Sequence, residues 1–282
     1  MIDFLVYDVF TSIPLTGNQL AVIPDATALN EEDLQKIARE FNFSETTFVY
    51  PPQDPGHTAR VRIFTPTMEI PFAGHPTIGT AIALRDLGHT GDMVLELGVG
   101  PIPCSFEGDI ASFVTHVPLE TVGEPDMELM ARCLGISAEA IETTTHAPIQ
   151  AGVGLPFAMV ELKDRETLSK CSPAIDAIKE GAARYPTGLD FAIFAYVRRE
   201  NLIDARMFAP LDNIPEDPAT GSACAALTAL LHDLLKEPLS LKIRQGEDMG
   251  RPSVIIAEAN GDPVGITISG QAVRTMAGEL SI

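Results

Sequence analysis

Positive charge, paired cysteines and long apolar runs are what this chain has least of. Lys and Arg number 19 against 39 Asp and Glu, a net charge of −20. Phosphate backbones and anionic lipid surfaces are therefore repelled on average, so neither nucleic acid nor membrane is an expected partner. The same field slows an anionic substrate unless its site is locally positive. Cys104, Cys133, Cys171 and Cys224 are scattered, with no C-x-x-C and no histidine at ligand spacing; reduced, mostly buried thiols are expected, and no metal site. His57, His89, His116, His146 and His232 each stand alone. No charge-free apolar stretch approaches the roughly 20 residues of a membrane-spanning helix. The start, Met1-Ile2-Asp3-Phe4, lacks the basic region of a signal peptide, and a cytoplasmic location is expected.

What the chain does have is a duplication. RIFTPTMEIPFAGHPTIGTAIAL at 62–84 returns as RMFAPLDNIPEDPATGSACAA at 206–226. Arg62, Phe64, Pro66, Ile70, Pro71, Pro76, Gly79 and Ala81 align with Arg206, Phe208, Pro210, Ile214, Pro215, Pro218, Gly221 and Ala223, with one short gap before Pro218. Solenoid repeats have periods of tens of residues, so a repeat this long is a whole domain. A chain of 282 residues that is 45% hydrophobic can fill two cores. The expected domains are 1–118, which the last strand at 272–282 can join, and 119–282, with a cleft between them.

Alternation predicts strands at 2–10 and 20–24, joined by a turn at Pro14 and Gly17-Asn18, and further strands at 45–50 and 59–65. Asn30 and Asp33 have the spacing of a capping box before an amphipathic helix with Leu34, Ile37, Ala38 and Phe41 on one face. Gly88 is placed to stop the first repeated helix, and three strands follow at 92–98, 100–106 and 110–117. Gly123-Glu124-Pro125-Asp126 is expected to be the linker. The second half has strand signals near 147–162, 190–198 and 203–208, and four more after its repeated helix. The stretches 76–84 and 218–231 contain no charged residue, so both repeated helices should be enclosed. The expected fold is α+β: in each domain, a strongly curved antiparallel sheet or open barrel around a central helix.

Each repeated helix opens with X-Pro, where X is His75 in one copy and Asp217 in the other. Proline suits the first helical position and holds the residue before it extended, which predicts His75 and Asp217 as the two N-caps, facing each other across the cleft. Asp217 is a residue that helix stability alone would select there, so capping and function both remain open. Histidine is a poor cap, so His75 points to function. The helix starts, with Gly74, Gly79 and Gly221 allowing close approach and Thr220 and Ser222 supplying hydroxyls, form a candidate carboxylate or phosphate pocket. Glu45, in NFSETTFVY at 42–50, shares a face with Phe43 and Val49. It is either a solvated carboxylate at a strand end or a desolvated carboxyl able to hold and release a proton.

Taken in order, DVFTSIPLTGNQLAVI (8–23), SETTFV (44–49), PFAGHPTIGTA (71–81) and RMFAPLDNIPEDPATGSA (206–223) resemble the PhzF-like family, named for the phenazine-biosynthesis isomerase, within the diaminopimelate-epimerase-like superfamily. The resemblance covers essentially the whole chain. It implies two domains, each a curved antiparallel sheet around a central helix, an active site between them, and a homodimer. It implies Glu45 as general acid/base, His75 and Asp217 as polar partners that position substrate and proton, and Gly74, Gly221 and Ser222 as contacts to a substrate carboxylate. Asn18 is implied as a further substrate-lining residue. The namesake reaction moves a proton between ring carbons of trans-2,3-dihydro-3-hydroxyanthranilate without a cofactor, and none is expected here.

The epimerase branch uses two facing cysteines at the helix starts, and this chain has none there. The leading expectation is a cofactor-independent isomerase acting on a small carboxylated metabolite. The alternatives are a non-catalytic metabolite-binding or interaction protein, and an epimerase that pairs Glu45 with His75 or Asp217 in place of thiols.

Overall fold

The alternating apolar residues at the start of the chain form β1 (Ile2–Val9) and β2 (Asn18–Ile23), followed by α1 (Glu31–Phe41), β3 (Glu45–Tyr50), β4 (Ala59–Phe64) and the short β5 (Glu69–Ile70). The chain then enters α2 (Gly74–Asp86) and leaves it through β6 (Met93–Leu97), β7 (Gly100–Glu107) and β8 (Ile110–Thr115). The computed structural model describes residues 1–187, 191–261 and 264–282. Two compact units divide the chain, one made of Met1–Val114 with Ile268–Ile282, the other of Thr115–Thr267.

The second unit runs through β9 (Glu120–Gly123), α3 (Met127–Leu134), β10 (Ile149–Gly152), β11 (Pro156–Glu161), α4 (Arg165–Lys170), α5 (Ile175–Arg184), β12 (Ile193–Arg199), β13 (Leu202–Ala209) and β14 (Ile214–Asp217). It continues as α6 (Gly221–Leu235), β15 (Leu239–Gln245) and β16 (Ser253–Asn260); β17 (Gly265–Gly270) carries the chain back, and β18 (Ala272–Leu280) ends in the first unit. The expected strand at 190–198 is found from Ile193; Asp190 lies outside the described residues. The run 123–126 is not a linker. Gly123 closes β9, opposite Gln150 of β10, and the Asp126 side chain caps α3 by accepting from Leu129 N at 2.8 Å.

The two units repeat one pairing scheme. In the first, β18–β1 and β1–β2 are antiparallel, β2–β3 parallel, β3–β4 and β4–β5 antiparallel, β4–β6 parallel, and β6–β7 antiparallel. In the second, the same succession runs β9–β10, β10–β11, β11–β12, β12–β13, β13–β14, β13–β15 and β15–β16. The sheets are therefore mixed rather than purely antiparallel. A parallel neighbour needs a long crossover, and each parallel pair is bridged by helix: α1 joins β2 to β3, and α2 lies between β4 and β6. The fold is α+β, two domains of curved sheet.

Each sheet encloses its charge-free helix. Every residue of α2 from Gly74 to Leu84 is buried, and the helix packs against β1, β2, β3, β6 and β18. Helix α6 is buried from Ala223 to Leu231 and packs against β10, β11, β15 and β16. At Gly79 a Cβ would lie 2.5 Å from Leu20 Cδ2 and 2.7 Å from Val9 Cγ2, so the missing side chain sets how closely α2 approaches β1 and β2. The helix ends as expected at Gly88, where His89 N donates to Leu84 O and Gly88 N to Arg85 O, a Schellman closure. In contrast, Asn30 caps α1 by position only. Its side chain makes no bond to the helix backbone, and its Nδ2 donates to Asp33 Oδ2 at 3.3 Å, so the capping box does not form.

The aligned residues Arg62 and Arg206 keep a common contact and diverge beyond it. Arg62 stacks over Phe64 and Arg206 over Phe208, with 5.1 Å and 4.8 Å to the ring centres. Arg62 pairs with Glu31 and Glu69, both exposed. Arg206 is nearly buried, bidentate to Glu216, and donates to the carbonyls of Leu168, Ser169 and Cys171.

Candidate active site

In the first unit, the turn from β1 to β2 delivers Asn18. Asp8 Oδ2 accepts from Leu15 N at 2.6 Å, and Thr11 Oγ1 and Thr16 Oγ1 lie 2.6 Å apart, so the loop is tied back on itself. Gly17 has φ +70°, and a Cβ there would lie 2.5 Å from both Val9 O and Thr11 Cγ2; only glycine fits. Asn18 then begins β2 opposite Val9, buried at 1% exposure. The parallel register pairs Leu20 with Glu45, which brings Ser44 and Glu45 alongside the Asn18 end of β2.

His75 comes to the same place from α2. It is the second residue of the helix rather than its N-cap, a role taken by Ala73 in extended geometry. The first turn closes early because both the backbone N and the Oγ1 of Thr77 donate to Ala73 O. Pro76 is accommodated there because the first helical N–H groups have no intrahelical acceptor to lose. The His75 ring is 4% exposed, with Asn18 Nδ2 at 3.4 Å and Glu45 Oε2 at 3.3 Å from its Nδ1. Ser44 Oγ donates to Asn18 Oδ1 at 3.3 Å. Burial pushes the imidazole down to about 3, against a smaller opposing effect from the Gln19 backbone, so the ring is neutral. Its Nε2 is buried and has no hydrogen-bond partner among the described residues. The Glu45 side chain is 14% exposed, largely enclosed at the strand start.

In the second unit, Asp217 does not cap α6 either. It ends β14, buried at 4% exposure; Pro218 and Ala219 form a turn, and Thr220 is the cap residue. Cys224 N donates to Thr220 O, which starts the helix three residues beyond Pro218, whereas α2 starts before Pro76. At the helix starts, Gly74 therefore corresponds to Gly221 and His75 to Ser222, a shift from the alignment of the prolines. Neither helix has an acidic residue in its first turn, and neither cap side chain bonds to its helix, so both N-termini keep their partial positive charge. Gly74 and Gly221 are buried and Ser222 is partly exposed.

Asp217 is held from two sides. Thr220 Oγ1 donates to Asp217 Oδ2 at 2.5 Å, and Gln245 Nε2 donates to Asp217 O at 2.7 Å and to Thr220 Oγ1 at 3.0 Å. Gln245 Oε1 accepts from Thr220 N at 3.1 Å. Gln245 and Ser44 were not among the residues the sequence singled out. A signal for Gln245 existed: the inward positions of β15 run Leu239, Leu241, Ile243, Gln245, and one polar residue in that row requires buried partners.

The structure thus gathers Asn18, Glu45 and His75 in the first unit, and Asp217, Gly221 and Ser222 around one helix start in the second. All four cysteines are free and buried. Burial pushes Cys104 and Cys133 up to about 12 and Cys171 to about 11, and Cys224, inside α6, is raised as well. No group of three or more potential metal ligands occurs among the described residues.

The sequence pattern of the phenazine biosynthesis-like protein family matches residues 7–278. The chain belongs to this family. An uncharacterised isomerase of Mesorhizobium japonicum is 37% identical over 298 residues, covering 99% of each chain. The trans-2,3-dihydro-3-hydroxyanthranilate isomerase of Pseudomonas fluorescens is 36% identical over 285 residues, covering 97% of each. The crystal structure of the Bacillus anthracis phenazine biosynthesis protein of the PhzF family has a TM-score of 0.88 across 100% of this chain and 99% of that one, at 23% identity, a likeness of fold. As a member of the phenazine biosynthesis-like family, the chain is an enzyme of the isomerase class.

Proposed function

We propose that this family member is a cofactor-independent isomerase that moves a proton between two carbons of a small carboxylated metabolite, with Glu45 as the single acid/base. The observation that carries the reading is the contact of Glu45 Oε2 with Nδ1 of a buried, neutral His75 at 3.3 Å. In the first step the Glu45 carboxylate takes a proton from an acidic C–H, and the electron pair delocalises into the substrate's unsaturated system. Once protonated, Glu45 lies beside a neutral ring that resists protonation, so the imidazole does not remove the proton from the acid. Return of that proton to a second carbon leaves a shifted double bond and the original carboxylate.

Gly74 in the first unit, and Gly221 and Ser222 in the second, take the part of contacts to a substrate carboxylate, because each uncompensated helix N-terminus favours an anion despite the chain's net charge of −20. Asp217, fixed by Thr220 and Gln245, takes the part of a second polar partner for the substrate. Thiol chemistry has little support, since Cys224 is buried with its thiol held protonated. The working form is proposed to be a cytoplasmic homodimer, which sedimentation at working concentration tests.

The trans-2,3-dihydro-3-hydroxyanthranilate of the Pseudomonas fluorescens relative is the first compound to try, within a panel of unsaturated and hydroxylated carboxylates. Isomerisation of any of them, abolished in Asp217→Ala and Glu45→Gln, supports the reading. Binding of a panel member with no turnover replaces it with a metabolite-binding protein.

A further inference from the structure

Asn18 and Ser44 form a chain of polar contacts that ends on His75, and its direction can be read. Ser44 Oγ donates to Asn18 Oδ1 at 3.3 Å, so the amide carbonyl faces the hydroxyl and the amide nitrogen faces the ring, 3.4 Å from His75 Nδ1. In this orientation the amide nitrogen is the donor and Nδ1 the acceptor, which leaves Nε2, buried with no partner among the described residues, to carry the proton. A neutral imidazole with Nδ1 as acceptor carries its proton on Nε2. The alternative tautomer would set Nδ1–H against the Asn18 amide hydrogens and aim it at Glu45 Oε2, only 3.3 Å away.

We propose that Ser44 and Asn18 are positioning residues that hold His75 in the Nε2–H tautomer and thereby deny Glu45 a histidine hydrogen-bond donor. Three features of the fold lock this arrangement. Gly17 is confined to φ +70° and presents Asn18 at the first position of β2. The parallel β2–β3 register sets Ser44 beside it. The close approach of α2 at Gly79 brings the ring within reach. Asn18 is thus given an indirect role in place of the direct substrate contact that the family resemblance implies.

The consequence concerns the strength of the base. A carboxylate that accepts a hydrogen bond from an N–H donor is stabilised as the anion and takes a proton less readily. With Nδ1 occupied as an acceptor, Glu45 meets no N–H donor from the ring and keeps its basicity. The tautomer assignment stands on geometry alone; its effect on turnover rests on the isomerase reading.

The test is a long-range proton–nitrogen correlation spectrum of the histidine rings in the full-length protein, with His75 identified by loss of its signals in His75→Gln. The expected result is a pyridine-like Nδ1 and a protonated Nε2. Asn18→Leu, which removes the donor at similar volume, is expected to give a mixture of tautomers or protonation at Nδ1, and Ser44→Ala, which frees the amide to rotate, a smaller shift in the same direction. A protonated Nδ1 in the wild type, or ring signals unchanged in both variants, overturns the proposal, and the wild-type spectrum decides even if Asn18→Leu does not fold. None of these spectra requires a substrate, so failure of the isomerase reading leaves them interpretable. Where turnover is found, Asn18→Leu is expected to lower kcat by about tenfold or more, with the acid limb of its pH profile moved to lower pH and KM little changed.

Discussion

Replacing Gln245 by leucine removes a buried amide that makes three hydrogen bonds around the start of α6: it accepts from Thr220 N, and donates to Thr220 Oγ1 and to Asp217 O. Leucine has nearly the same volume and leaves little cavity, so the loss falls on hydrogen bonding. Gln245 is 1% exposed and Thr220 8%, so water does not readily replace the missing partner. An unsatisfied buried N–H costs about 1–3 kcal/mol, and each further neutral bond lost costs about 1 kcal/mol, partly offset by the apolar side chain. The expected destabilisation is about 2–4 kcal/mol. Denaturant unfolding should show it as a lower midpoint at unchanged slope. Because the amide also fixes the Asp217 segment, KM for the substrate should rise even where the variant is fully folded. An unfolding free energy within about 0.5 kcal/mol of wild type, together with unaltered kinetics, would refute the argument that Gln245 braces the Asp217 segment.

His75 is neutral in the folded protein, with its pKa pushed down to about 3 from 6.5, so the unfolded chain binds a proton that the native one does not. Its contribution to stability is fully present above pH ~6.5 and is lost as pH falls toward ~3, by about 1.4 kcal/mol per pH unit. Over that window, denaturation measured against pH should be less steep in His75→Gln; an equal slope contradicts a buried neutral ring. The aligned arginines should differ in energy. Arg206→Met breaks a nearly buried bidentate pair and three carbonyl contacts, for about 3–5 kcal/mol. Arg62→Met loses partners that are 73% and 43% exposed, for about 1 kcal/mol or less, and equal losses in unfolding experiments would show the contrast to be wrong.

Much of this fold was legible in the chain because its signals are strong and local. Strict alternation placed the strands of the first unit to within a residue or two, and the charge-free stretches after Pro76 and Pro218 marked the enclosed helices. Strand direction was not legible, because it depends on whether a connection is a turn or a crossover helix. The same holds for the two helix starts. X-Pro predicts a proline at the first helical position, but Thr77 closes α2 ahead of Pro76, and a turn at Pro218-Ala219 delays α6. The candidate residues Asn18, Glu45 and His75 are found together in one unit because a glycine turn, a parallel register and a close helix contact converge there. Gln245 and Ser44 act through bonds to residues distant in sequence, and such pairing leaves only a faint mark, a polar residue on an inward face.

The central claim is that one carboxyl, Glu45, takes a proton from carbon and returns it. The measurement that reaches it most directly is proton NMR of the carboxylate panel in deuterated water, with wild type and Glu45→Gln side by side. The account predicts a double-bond shift or deuterium incorporation at carbon with the wild type and neither with Glu45→Gln, even though that variant still binds the same compound. Exchange at an undiminished rate in Glu45→Gln, or inversion at a stereocentre with no shift of the double bond, would contradict it.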